Sequence, residues 1–558
     1  MRKLWILLAI AVTPPLEAQL TARAAYDTVQ RLRAEADSLL AAGRPGAMAT
    51  LERALRFLER PEVADLAQGW PYLRARTPNV WWDMAVVATL EGDSLAALEA
   101  LERVRWTGGS SVYREWLRTD SVLSRWASHP RVRAIDAALR QQQRLYGDSA
   151  FVSEYRDTLP RSERVAGLSL VWAEVRYAYP DFAERPEHDW DARYQHYLER
   201  VLEPMDSYEY FRTLQRFVAE LGDGHTNVYF PRPLQRRFAR PPIRTGLVEG
   251  KVLVTSIRSP TVRALGLRVG DEIVTIDGEP VRRYAAREVA PFQSSATEQD
   301  LALRTYSYQL LLGPADQAVG LGVVRADGSR RTIELARTGY DDVEPGPAPV
   351  VDSLLPGNVG YLRIGTFGID SVRHWARAAL ERLRGARALI IDIRENGGGN
   401  TTLAPLAVLA RRPIPAPGQR IRNYSALDRA RGFEPQPTHL RASDTPPDPT
   451  LRFDGPVALL IGPATFSAAE DFAVAFDEME RGTIVGEPSG GNTGQPLSFV
   501  LPGGGFGRVR TKHDSYGDGR EFLFRGVTPQ LVVRPTVAGV RAGRDEVLEA
   551  AIRVVGAH

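Results

Sequence analysis

The chain has 558 residues, 44% hydrophobic and 25% charged, the make-up of an ordinary globular protein and too much chain for one compact domain. Its 71 basic residues face 68 acidic ones for a formal charge of +3, and no basic block stands apart, so composition gives nucleic-acid binding no support. Cysteine is absent, which excludes a thiol nucleophile, disulfides, thiolate-bound metal and lipid attachment at a cysteine.

Residues 1–24 read as a signal peptide. Arg2 and Lys3 give a positive start, and residues 4–12 form an apolar run that Pro14-Pro15 ends too soon to span a bilayer. Cleavage after Ala18 or Ala24 fits the small-residue preference; a retained N-terminal anchor is the alternative. No other stretch is apolar and long enough for a membrane span, so the expected location is periplasmic or secreted.

Residues 25–160 are expected to be helical. Leu51, Ala54 and Leu55, and later Ala96, Leu98 and Leu101, fall at helical spacing, with Gly43 and Gly92 at the turns. The units resemble tetratricopeptide repeats, and a generic helical bundle reads equally well. Holding a protein partner or regulating access are the roles expected of this region. Residues 161–239 form a helix-rich cap with Trp190, Tyr194, Tyr197, Phe211, Leu214 and Phe217 as core, ending in Gly222-Asp223-Gly224-His225-Thr226 and a strand. His188 and His196 do not have metal-ligand spacing, and no cofactor or metal is implied.

Residues 240–345 carry short strands and the run Gly270-Asp271, a strand, then Asp277-Gly278. This resembles a PDZ domain, which takes an extended peptide as an added strand. If such a domain only delivers substrate, deleting residues 240–340 spares cleavage of a small ester. Residues 346–558 alternate strand and helix and predict a mainly parallel, helix-covered sheet.

Three segments at strand ends of this last region can carry chemistry. Gly397-Gly398-Gly399 follows the strand ending at Asp392; consecutive glycines allow close backbone approach and aim N–H groups into a site, and a plain turn explains them equally well. Ser467 lies at a helix start after Leu459-Leu460-Ile461. There it reads either as an N-cap, with Glu470 as capping partner, or as a nucleophile in positive potential beside free N–H groups. Glu487 to Gly494, with Asn492, form a polar loop that lines a groove or merely connects.

In this order, with Asp223-Gly224-His225-Thr226 upstream and the PDZ-like insert between, these segments resemble the C-terminal processing and tricorn-type serine peptidases over about residues 165–540. The resemblance implies a crotonase- or ClpP-like β-α-β spiral core with a PDZ domain and helical N-terminal parts. It implies a Ser467 acyl-enzyme acting on a protein or peptide. Processing proteases pair the serine with a lysine 25 residues later; here Asn492 stands there, with Pro496 where a glutamine belongs and Gln495 beside it. The three lysines, Lys3, Lys251 and Lys512, do not replace it. Tricorn-type members use a histidine that His225 matches. The resemblance then implies His225 as general base, Gly398 and Ala468 as oxyanion donors with Gly399 and Asn492 lining the substrate, and Glu521 as the third catalytic group. His513 is the rival base. Two other classes stay in view: a ligand-binding protein on the same fold, as in interphotoreceptor retinoid-binding proteins, and a crotonase-like enzyme acting on acyl thioesters, which an export signal disfavours.

Overall fold

The computed structural model describes residues 20–69, 71–107, 110–146, 152–440 and 444–556. Most of the expected signal peptide lies outside them. The described residues divide into two compact bodies, one reaching to Gln143 and one running from Arg144 onward. The first is helical. Ala22–Ala41 and Ala47–Leu58 form one hairpin, Arg76–Glu91 and Ser94–Thr107 another, with left-handed Gly46 and Gly92 beside the turns. No helix among the described residues is long and apolar enough to cross a membrane.

The larger body is built on a six-stranded sheet. Its order is Val350–Leu355, Val359–Ile364, Ala388–Asp392, Val457–Ile461, Thr483–Gly486 and Leu531–Val532, and every pair after the first is parallel. The apolar runs that predicted buried strands are explained by burial on both faces. Leu389, Ile391, Leu459, Ile461 and Ile484 pack under helices Val372–Arg382 and Ala468–Glu478, while Ala388, Ile390, Ala458, Leu460 and Val485 pack against helix Glu546–Gly556. The ends of the two central strands are therefore held rigidly, and the site stands on those ends.

Residues 243–335 make a separate antiparallel sheet inserted before this core. Val248 pairs with Lys251 across Glu249-Gly250, and Ile276 pairs with Glu279 across Asp277-Gly278. All four turn residues have positive φ, as two-residue hairpins of this type demand. The Asp277-Gly278 turn after the strand is thus a hairpin turn. Helices Arg161–Ala178, Trp190–Leu202 and Ser207–Ala219 bury their aromatic side against a three-stranded sheet made by Asn227–Tyr229 and two late strands, Leu497–Val500 and Phe506–Val509. That pairing, Asn227 opposite Arg508, brings the His225 segment across to the far end of the chain.

Phe472 is fully buried on helix Ala468–Glu478, 5.5 Å from the Phe367 ring. Phe472→Ala is expected to cost about 3–5 kcal/mol through lost burial and the cavity left behind. A thermal melt should show the loss as a lower midpoint.

Candidate active site

Ser467 follows the strand Val457–Ile461 and precedes helix Ala468–Glu478. Thr465 fixes the turn: its hydroxyl donates to Ile393 O at 2.9 Å and accepts from Gly462 N at 3.1 Å, tying two adjacent strand ends together. Ser467 itself has φ +59° and ψ −126°, a region non-glycine residues rarely enter. Such a backbone costs on the order of 1–3 kcal/mol and persists only where surroundings over-determine it. Here Ser467 N donates to Asn492 O (3.2 Å) and to the Glu470 carboxylate (3.3 Å). The strained turn aims the hydroxyl away from its own helix. Ser467 Oγ lies 3.0 Å from His225 Nε2, across 242 residues of chain.

His225 is buried. Asp223 Oδ1 fixes its backbone by accepting from His225 N (3.0 Å), Thr226 N (2.8 Å) and Thr226 Oγ1 (3.0 Å). The Phe466 ring stacks on the imidazole at 4.7 Å and 10°. The other ring nitrogen, Nδ1, meets Asn492 Oδ1, and Asn492 Nδ2 donates to Asp223 Oδ2 at 3.2 Å. Ser467, His225 and Asn492 thus stand in one line, with Asp223 behind.

Residues 358–533 match peptidase family S41. The chain resembles that family over this segment. It is a family of serine-type peptidases. The chain is 26% identical to the chloroplast C-terminal processing peptidase of Tetradesmus obliquus over 57% of this chain and 66% of the relative. It is 23% identical to the carboxyl-terminal-processing protease of Synechocystis sp. over 66% of this chain and 81% of the relative. The structure of mature CPAF shares the fold at a TM-score of 0.57 and 18% identity, over 71% of this chain and 96% of that one.

Within this S41 site the structure redistributes several expected roles. Asn492, expected among substrate-lining groups, is fully buried and spends its side chain on His225 and Asp223. Glu521, expected third in the catalytic set, instead takes His513 Nε2 at 2.7 Å and is half exposed. The reason is local: His513 sits on strand Lys512–Ser515, whose return turn lays Glu521 beside the ring, away from His225. His513, the rival base, also binds Asp181 at 2.8 Å. Burial would lower its pKa, but the Asp181 and Glu521 carboxylates outweigh that and raise it. With both nitrogens on carboxylates it has no lone pair to offer as a base. Lys512 Nζ donates to Asp514 and Lys251 Nζ to Glu272, each at 2.6 Å.

The glycine turn abuts the serine. A Cβ at Gly398, φ +94°, would lie 2.7 Å from both Phe466 O and Ser467 Cβ, so only glycine fits. Gly398 N–H, however, donates to Asn396 Oδ1 at 2.9 Å and is occupied. Gly399 comes so close to Phe367 that a Cβ would meet its carbonyl carbon at 2.2 Å. Ala468 opens the helix, where first-turn N–H groups lack intrahelical partners.

Sequence reasoning gave no role to Asp223 or to Arg510. Arg510 is fully buried on Asp223, Nε to Oδ2 at 2.6 Å, and its other end pairs with Asp181. A Gly-Asp-Gly-His-Thr run gives no sign that the aspartate faces inward, because the arginine that holds it arrives 287 residues later.

Burial, and next the nearby Arg508 guanidinium, hold the His225 pKa well below the usual imidazole range. A histidine in the general-base role proposed below acts only when neutral, so the rate rises with pH through that pKa. The acid limb of kcat/KM is therefore expected below about 6.5, the ordinary imidazole value. Arg508→Gln removes a depressing charge, and the limb should move up by about one pH unit. A pH–rate profile of the two proteins checks this.

Proposed function

We propose that this chain hydrolyses peptide bonds through an acyl-enzyme on Ser467 with His225 as general base. The observation that carries the reading is the 3.0 Å approach of Ser467 Oγ to His225 Nε2 at a strained, helix-initiating serine. Oγ attacks the scissile carbonyl carbon while Nε2 takes its proton. The tetrahedral oxyanion is met by Ala468 N–H at the helix N-terminus, where the helix dipole also favours negative charge. Gly398 serves by letting the backbone come against Ser467. The leaving amine takes the proton back from Nε2, and water repeats the sequence on the ester.

The substrate is a protein or peptide, and residues 240–345 are read as a PDZ-like domain that takes an extended segment of it. The helical residues up to 143 are read as a site for a partner protein, and residues 1–24 as an export signal. Three contacts argue that the insert does more than deliver. Thr297 Oγ1 donates to Gly490 O at 2.9 Å, Gln299 Nε2 to Ser489 O at 2.9 Å, and Arg304 to Gly224 O at 3.4 Å, with its guanidinium 5.1 Å from the Phe466 ring. These bear on both flanks of the Ser467–His225–Asn492 set. Deletion of residues 240–340 is therefore expected to cut cleavage of even a small ester, as measured in an esterase assay. Unchanged ester turnover would return the domain to pure delivery.

The first test is fluorophosphonate labelling of the purified protein. Wild type should label at Ser467. Label should vanish in Ser467→Ala and slow by about 10²- to 10⁴-fold in His225→Ala, the usual worth of a general base. A folded wild type without label favours the ligand-binding reading of the same fold.

A further inference from the structure

We propose that Asp223 is a positioning residue that selects the orientation of the Asn492 carboxamide and, through it, the productive tautomer of His225. The inference rests on the catalytic reading above for its consequence in rate, but not for its geometry.

A carboxamide is two-faced. It can present either its oxygen or its NH₂ to His225 Nδ1, and the two choices have opposite effects. With oxygen presented, Nδ1 must carry the proton, and Nε2 keeps the lone pair that accepts the Ser467 proton. With NH₂ presented, Nδ1 must accept, the proton moves to Nε2, and Nε2–H points at Ser467 Oγ with no basic site left.

Asn492 cannot choose from its own surroundings. Its side chain is fully buried, so water does not level the difference. What breaks the tie is Asp223 Oδ2, which while ionised can accept but never donate, and which takes Asn492 Nδ2–H at 3.2 Å and so turns Oδ1 to the imidazole. Ionisation of a fully buried carboxylate is itself unfavourable and has to be enforced. The enforcement comes from Arg510 at 2.6 Å on the same oxygen. Burial pushes the Asp223 carboxyl up, but the Arg510 charge outweighs it and holds the group below its usual range. Asp223 Oδ1 is committed to three donors from residues 225 and 226, so the carboxylate cannot rotate away.

The same facts say what Asp223→Asn does. The new amide oxygen takes the Oδ1 place, where three donors wait. Its NH₂ takes the Oδ2 place, the side with two donors, and faces both the Arg510 Nε–H and the Asn492 NH₂. Asn492 then flips, and His225 goes to the Nε2–H form.

The test uses the full-length protein labelled with ¹⁵N-histidine, with the His225 signals identified by their loss in His225→Gln. Wild type should show protonated Nδ1 and unprotonated Nε2. Asp223→Asn should show the reverse, and fluorophosphonate labelling should slow by roughly 10³- to 10⁴-fold, the cost of a wrong tautomer in a serine–histidine pair. The double variant Asp223→Asn with Asn492→Asp reverses donor and acceptor between the two positions. It should restore the Nδ1–H tautomer and recover labelling at least about tenfold over the single variant. It also decides the matter should the single variant not fold. A merely structural Asp223 predicts no change of tautomer. His225 remaining Nδ1–H in folded Asp223→Asn with labelling unchanged, or Nε2–H in the double variant, would overturn the proposal. A wild type that does not label but switches tautomer as described supports the proposal while refuting the hydrolytic reading.

Discussion

The site hangs on one buried carboxylate. Glu470, in the first turn of helix Ala468–Glu478, accepts from Ser489 Oγ (2.5 Å), Gly491 N (2.6 Å), Asn492 N (2.8 Å) and Ser467 N (3.3 Å). One side chain thus fixes the Ser467 amide and the loop that brings Asn492 to His225. Burial pushes its carboxyl up to about 7, against four donors that all favour the ionised form. A protonated carboxyl would have to give up one of those donors, and each holds a different part of the site. The helix N-terminus adds positive potential in the same place.

This arrangement explains why local reading of the sequence left Ser467 open. Ser-x-x-Glu is the pattern of a capping box, and half of it is present: Glu470 turns back to the Ser467 N–H. The other half is diverted. A positive φ at Ser467 swings its hydroxyl out of the capping position and over to His225. The glutamate therefore does the capping, and the serine is released for chemistry. A strained backbone angle leaves no trace in residue identity, so only the family pattern could favour the second reading.

Legibility elsewhere follows the range of the interactions. The parallel sheet was readable because strands buried on both faces have to be continuously apolar, and the turn at Asp277-Gly278 because Asp-Gly suits two positive φ values. Ser467 and His225 were readable as members of an ordered set of motifs. Asn492 was read as standing in the lysine's place and as a substrate-lining group, and Glu521 was placed in the catalytic set, where the structure sets it on His513. The two placements differ in range: Asn492 is held by Asp223 across 269 residues, Glu521 by His513 on the strand just before it. Periodicity and local spacing carry no information about such pairings. A buried arginine such as Arg510, fixed between two aspartates, is equally silent, since in sequence it is one of 71 basic residues.

The use of a neutral amide behind the histidine has an electrostatic consequence. A carboxylate at position 492 would sit beside ionised Asp223, and two buried anions in contact raise each other's pKa until one is protonated. An asparagine avoids that conflict. It passes the Asp223 charge to the imidazole only through a polarised hydrogen bond, at one remove. His225 consequently lacks a direct counter-ion, and burial with Arg508 nearby outweighs what Asp223 supplies. The imidazole stays neutral over a wider pH range than a free one, at the cost of being a weaker base. In the proposed mechanism the fall in basicity is offset where it matters: the imidazolium formed as Ser467 loses its proton is stabilised by Asp223, whose charge is held by Arg510, itself paired at its other end with Asp181. The proposed proton transfer from serine to histidine would thus be supported by a buried chain of polar and charged groups, whose polarity has to be correct at every step. A single donor set where an acceptor belongs, at 223 or at 492, reverses the hydrogen-bond direction all the way to Nε2.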